Sequence, residues 1–175
     1  MKRKEEWKEF RSLIEQHHVE QLYHFTDAEN VPSIRRLKGL YSWGHLEAEG
    51  IPIPRPGGNE LSRDLDRRDG YEDYVRLCFN NNPPMLIAAQ RSGSIPNPVI
   101  IAVDPEVIYW EKTLFADMNA TDNYVSTGTD LAAFKAIRFS VARANIWDGE
   151  EEKKWRQAEV MVKRHIPIEL LKIPD

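Results

Sequence analysis

The chain has a single cysteine, no long apolar run and no excess of basic residues, and each shortage excludes a class of protein. With Cys78 alone among 175 residues, no internal disulfide can form and no cysteine-rich zinc site can assemble. Five histidines are present but none stand four apart, so no metal centre is expected. No stretch approaches the roughly 18 apolar residues of a membrane-spanning helix. The N-terminal MKRKEEWKEFRSLIEQ is basic without an apolar segment behind it, unlike a secretory signal; a cytoplasmic protein with no membrane association is expected. The net charge of −4 argues against broad coating of nucleic acid, which needs a positive surface. It leaves room for a local basic groove, and two segments could supply one: Arg63, Arg67 and Arg68, and Lys153, Lys154, Arg156, Lys163 and Arg164. Acidic residues interleave both, so solvated paired charges explain them as well. Also missing are G-x-x-x-x-G-K-[ST], G-x-G-x-x-G and G-x-S-x-G, the marks of the common nucleotide loop, the dinucleotide fold and the serine hydrolases.

What is present reads as one globular domain over 1–175, with 41% hydrophobic and 30% charged residues. Trp7, Phe10, Leu13 and Ile14 fall at helical spacing, giving an amphipathic N-terminal helix within residues 1–18. LYHFT (22–26) reads as a strand, and Asp27 can cap a helix over 28–37 that leaves at Gly39. A turn and short helix follow in LYSWGHLEAEG. IPIPRPGGN (51–59), with three prolines and two glycines, is loop. ELSRDLDRR reads as a polar helix, YVRLCF and PVIIAVD as strands, and PPMLIAAQR as a helix opened by proline. The region 114–155 is weakly patterned apart from a helix at LAAFKAI, and such stretches in compact domains are often functional loops. QAEVMVKRHIP reads as one strand with a single apolar face, Ala158, Val160 and Val162 alternating with Glu159, Met161 and Lys163. The order of elements gives an α+β domain with a mainly antiparallel sheet.

On these grounds alone Glu159 is a solvated strand charge, His24 a structural histidine and Cys78 a buried inert thiol. The ordered motifs say more. LYHFTDAENVPSIRRLKGLYSW, GGNELSRDLDRRDGYEDYVRLCFNNNPPML, the VDPEV and TLFADMNAT pair, and QAEVMVKRHIP together resemble the DarT family of NAD-dependent nucleic-acid ADP-ribosyltransferases, over about Leu22 to Leu171. The resemblance implies two packed sheets around an NAD cleft. It also implies transfer of ADP-ribose from NAD to a base of single-stranded DNA with release of nicotinamide, a toxin role, and a macrodomain-type antitoxin as partner. NAD is then the cosubstrate, and no metal is needed.

Residue by residue, Glu159 matches the family's catalytic glutamate, and His24 its first-strand histidine with Thr26 beside it. An arginine of 63–68, Arg63 before Arg67, is expected to hold the NAD pyrophosphate or the reacting ribose, and Arg63 is counted with Glu159 as catalytic. Phe25, Gly39, Leu40 and Tyr74 complete the expected NAD pocket. Asn119 and Met85 are expected near the target base, Tyr124 and Trp147 as stacking aromatics, and Lys154 and Arg156 as nucleic-acid contacts. Two departures stand out: Cys78 replaces an aromatic of the relatives' Y-V-P-F-Y-F strand, and Asn119 replaces a loop histidine. RNA or a protein side chain as acceptor remains the alternative within the same fold. A catalytically silent nucleotide-binding module is the alternative from another class.

Overall fold

The computed structural model describes residues 1–58 and 60–174; Asn59, the last residue of the expected Pro/Gly loop, and Asp175 lie outside the described residues. Helix α1 (Trp7–Gln16) precedes strand β1 (Leu22–Asp27). The Asp27 carboxylate accepts the Glu29 N–H at 3.0 Å and opens a 3-10 turn, Ala28–Asn30, that continues into α2 (Val31–Leu37). Next come β2 (Gly39–Tyr41), α3 (Trp43–Ala48), α4 (Glu60–Asp69), β3 (Tyr74–Cys78), α5 (Pro84–Ser92) and β4 (Pro98–Val103). The weakly patterned region contains β5 (Leu114–Ala116), β6 (Thr127–Gly128), α6 (Leu131–Ala136), α7 (Phe139–Ala142) and α8 (Gly149–Trp155). The C-terminal strands are β7 (Glu159–Lys163), β8 (His165–Pro167) and β9 (Leu171–Lys172).

Seven strands form one antiparallel sheet in the order β6-β5-β7-β3-β1-β4-β9, and β2 pairs with β8 in a small second sheet. The α+β class and the antiparallel sheet agree with the sequence reading. One face of the large sheet is filled by aromatic side chains. Phe10 of α1 stands 5.6 Å from Phe115 and 5.4 Å from Phe134, and Phe115 stands 4.8 Å from Phe134. Each such ring stabilises the fold by roughly 1.5–3 kcal/mol of apolar burial. The N-terminal helix therefore braces the back of β5 and packs against Phe134 of α6. Lys4 reinforces it, its ammonium donating to the Thr113 carbonyl at 2.9 Å, with burial lowering its pKa to about 8.

Two readings of the last strand need correction. Residues Glu159–Val162 are all buried, not apolar on one face and wet on the other. Val160 and Val162 join the aromatic core, while Met161 packs with Ala116 and Ala120 beneath the loop 117–126. Nor is QAEVMVKRHIP one strand. Arg164 adopts φ +65°, its N–H donates to the Asp73 carbonyl at 2.7 Å and its carbonyl accepts the Ser42 N–H at 2.8 Å. This corner moves the chain from the large sheet into the small one. There β2 and β8 approach so closely that a Cβ on Gly39 would lie 2.5 Å from the Ile166 carbonyl oxygen, so only glycine fits.

Candidate functional site

A cavity of about 800 Å³ opens between β1, β3, the small sheet, α4, α5 and the Pro/Gly loop. That loop is tied down by the buried Asn30, whose side-chain amide donates to the Arg55 carbonyl at 2.7 Å and to Thr26 Oγ1 at 3.0 Å and whose oxygen accepts the Arg55 N–H at 2.9 Å. The sequence IPIPRPGG therefore serves as a wall rather than as a slack connection.

His24 reaches the cavity from β1. Its Nδ1 lies 3.0 Å from the Arg76 carbonyl oxygen, an acceptor, so Nδ1 carries the proton and Nε2 is left as an acceptor for a ligand hydroxyl. Burial lowers the pKa of His24 despite that hydrogen bond, which keeps the ring neutral near pH 7.

Glu159, 1% exposed, faces the same cavity from β7. Its Oε2 accepts Arg76 Nη1 at 2.7 Å and the Ala120 N–H at 2.9 Å. Oε1 accepts no hydrogen bond from any described residue. Burial pushes the Glu159 pKa up, against the opposing pull of Arg76 and the Ala120 N–H. Arg76 also donates through Nη2 to Asp66 Oδ1, and Asp66 Oδ2 accepts Trp43 Nε1 at 3.1 Å. Directly across from Glu159 in the β3–β7 register is Cys78. Burial pushes its thiol far up, so it stays protonated and is no nucleophile.

Of the sequence-selected residues, His24, Phe25, Thr26, Gly39, Leu40, Arg63, Tyr74, Met85, Asn119 and Glu159 all line this one cavity. Arg63 packs its guanidinium 5.2 Å from the centre of the Trp43 ring. Asn119 is engaged internally: its Nδ2 points at Met85 Sδ at 3.1 Å, and its Oδ1 accepts the Thr121 N–H at 3.0 Å and the Thr121 hydroxyl at 2.7 Å. These bonds hold the turn that presents the Ala120 N–H to Glu159.

Others fall elsewhere. Arg67 lies one helical turn past Arg63 on the same flank of α4, its guanidinium 4.9 Å from the same Trp43 ring, but it does not line the cavity and pairs with Glu47 at 3.1 Å and Asp64 at 3.2 Å. Arg156 is corrected from a surface contact to a core residue. It is 0% exposed, its Nε and Nη2 donate to the Ala144 and Asn145 carbonyls at 2.6 and 3.2 Å, and the Trp147 ring covers it at 4.6 Å. Trp147 is thus a lid on Arg156 and not a free stacking surface. Tyr124 is 80% exposed and lies outside the cavity, with Lys154 5.5 Å from its ring and 3.6 Å from Asp122. The sequence reading missed Arg76, Asp66 and Trp43. Only the polar residue at the centre of an otherwise apolar YVRLCF strand hinted at the first.

Comparison with known proteins gives the family and the fold. The family model described as "ssDNA thymidine ADP-ribosyltransferase, DarT" matches residues 23–173. The solved structure of Thermus sp. 2.9 DarT in complex with ADP-ribosylated ssDNA is similar with a TM-score of 0.72 at 18% identity, covering 90% of this chain and 83% of that one. The same Thermus protein in complex with NAD+ gives 0.64 at 18% identity, over 88% and 80% of the two chains. Thermosipho africanus DarTG in complex with ADP-ribose gives 0.73 at 22% identity, over 89% of this chain and 44% of that longer one. A comparison with curated proteins finds no match.

Proposed function

Because the chain belongs to the DarT family of NAD-dependent ADP-ribosyltransferases acting on single-stranded DNA, we propose that Glu159 is its catalytic carboxylate and that thymine is the base it modifies. The observation that carries this reading is the one oxygen of Glu159 that no described residue claims, in a cavity shared with His24.

Breaking the nicotinamide–ribose bond leaves positive charge on the ribose C1′, so a site that accelerates the step must favour that cation over the ground state. Oε1 accepts the ribose 2′-hydroxyl and sets negative charge beside C1′. The raised basicity of the carboxylate suits it to take the proton from the attacking base nitrogen. Nicotinamide leaves as a neutral molecule, the base nitrogen forms the new bond to C1′, and the proton ends on Glu159. His24 Nε2 accepts a ribose hydroxyl. Arg63, a planar fork at the cavity wall, binds the pyrophosphate. Asn119 orders the turn over Glu159 on the acceptor side. Tyr124 and Lys154, exposed on and beside the same loop, contact the incoming strand, where an unpaired base can be held by stacking without a broad basic surface.

A toxin role, opposed by a macrodomain-type antitoxin and exerted in the cytoplasm, follows from the same family reading. The test is incubation with labelled NAD and single-stranded oligonucleotides of each base, with RNA in parallel. Label on thymidine-containing DNA, lost in Glu159→Gln, is the expected result. Transfer to RNA alone would reassign the acceptor, and NAD binding without transfer to any nucleic acid would favour a silent binding module.

A further inference from the structure

Among the described residues lining the cavity, Arg76 is the one strongly basic side chain whose two guanidinium ends are each committed to a carboxylate. Strands β3 and β7 pair with Cys78 opposite Glu159 and Arg76 opposite Met161. Arg76 and Glu159 are therefore diagonal neighbours on one face, a separation that long side chains bridge. Nη1 takes Glu159 Oε2 at 2.7 Å and Nη2 takes Asp66, which Trp43 Nε1 fixes from the other side at 3.1 Å. The three side chains are 24%, 2% and 8% exposed for Arg76, Glu159 and Asp66, so water competes little for these contacts.

We propose that Arg76 is a positioning residue for Glu159: anchored by Asp66, it pins one oxygen of the carboxylate so that the other is presented to the ribose of NAD. The proposal rests on the reading of Glu159 as the catalytic carboxylate and adds to it the part that sets its orientation and charge. A planar fork with one end on each acid fixes both distance and rotation, which a lysine ammonium does less well. A carboxylate this buried would otherwise turn about its last bond or take up a proton. The guanidinium is not a phosphate site, since Asp66, Arg76 and Glu159 together carry net negative charge. The backbone of the same residue has a separate task, its carbonyl setting the tautomer of His24, and a side-chain substitution leaves that contact in place. The other charged or titratable groups lining the cavity with Glu159 are Cys78 and Tyr74 from β3, Arg63 and Asp66 from α4, His24 from β1, Tyr41 from β2 and Arg55 from the Pro/Gly loop.

The test compares wild type with Arg76→Gln, Arg76→Lys and Asp66→Asn, with circular dichroism to confirm folding. The Glu159 carboxyl is titrated by ¹³C NMR, using Glu159→Gln to assign its signal, and kcat and KM for NAD are measured across pH. Arg76→Gln should move the Glu159 titration and the acid limb of the rate profile to higher pH. It should lower kcat on the order of a hundredfold and leave KM for NAD within about threefold, as expected for misplacement of a reacting group. Arg76→Lys should recover part of the rate. Asp66→Asn removes a like charge and should move the Glu159 titration the opposite way. Shifts of opposite sign cannot come from general loosening. An unmoved Glu159 titration in Arg76→Gln, or a rate loss carried wholly by KM, overturns the proposal. Should Arg76→Gln not fold, the Asp66→Asn shift decides, and its absence overturns the proposal equally. If the titrations shift as described while wild type transfers nothing to single-stranded DNA, it is the functional reading that fails and not the clamp.

Discussion

Glu159→Gln keeps the volume of the side chain and removes its charge. With Oε2 held by Arg76 and the Ala120 N–H, the substitution changes what Oε1 offers the ribose. An anionic oxygen about 4 Å from a unit positive charge, at an effective dielectric of about 20, contributes about 4 kcal/mol. At about 1.4 kcal/mol per factor of ten this is about a thousandfold in rate. The amide oxygen takes the place beneath the Arg76 and Ala120 donors and the amide nitrogen replaces Oε1, donating to the ribose hydroxyl. A hydrogen bond is kept, so NAD affinity should change little, and Glu159→Ala, which loses it as well, should fall further. The assay is single-turnover transfer from labelled NAD to a thymidine-containing single strand, with NAD binding measured separately. A rate loss below tenfold, or one matched by an equal loss of NAD binding, would refute the claim that charge at this position acts on the transition state. Stability should move the other way. Burial raises the Glu159 pKa above its ordinary 4.5, so the folded chain holds the proton more tightly than the unfolded one. Stability is therefore lost as pH rises from 4.5 to the folded value. The Gln variant escapes that loss: its Tm should exceed that of wild type at pH 8, and the gap should close below about pH 4.5.

The elements legible in the sequence are those whose burial is decided locally. PVIIAV is apolar throughout and lies inside the large sheet; proline opens α5; ELSRDLDRR, polar with the helical spacing of Leu61 and Leu65, forms α4. The unforeseen features depend on partners far along the chain. Met161 looks like an outward residue because the loop that covers it begins some forty positions earlier. The bend at Arg164 is stabilised by Asp73 and Ser42, with no glycine or proline to mark it. Arg156 sits in a charge run, KKWRQ, that reads as a wet helix end, and only the wrap of residues 144–147 over it makes it core. At the site, His24 and Glu159 came from the resemblance, while Arg76 could not, since the related strand pattern Y-V-P-F-Y-F has proline in its place. Its meaning lies in a diagonal across two strands, which no periodicity within one strand can report.

Gly39→Ala should place a methyl 2.5 Å from the Ile166 carbonyl and force β2 from β8, destabilising by about 2 kcal/mol or more; because Leu40 and Tyr41 line the cavity, isothermal titration should show NAD affinity falling as well. Arg156→Met should behave as a core change: removing its bonds to Ala144 and Asn145 lowers stability by about 1–3 kcal/mol, or a Tm drop of roughly 2–12 °C for a chain of this size. The salt dependence of single-strand binding should stay unchanged; a shallower slope would return Arg156 to the nucleic-acid surface. The pH profile separates the two titrating groups at the cavity. Burial moves His24 down from 6.5 and Glu159 up from 4.5, so either could in principle produce an acid limb in the transfer rate. Protonating Glu159 removes both the charge beside C1′ and the base for the attacking nitrogen, whereas protonating His24 converts one ribose acceptor into a donor. The limb should therefore belong to Glu159. In His24→Gln, which keeps a hydrogen-bonding group in place, the rate should drop at every pH with the limb where it was; a limb that disappears in this variant would transfer the essential ionisation from the carboxylate to the imidazole.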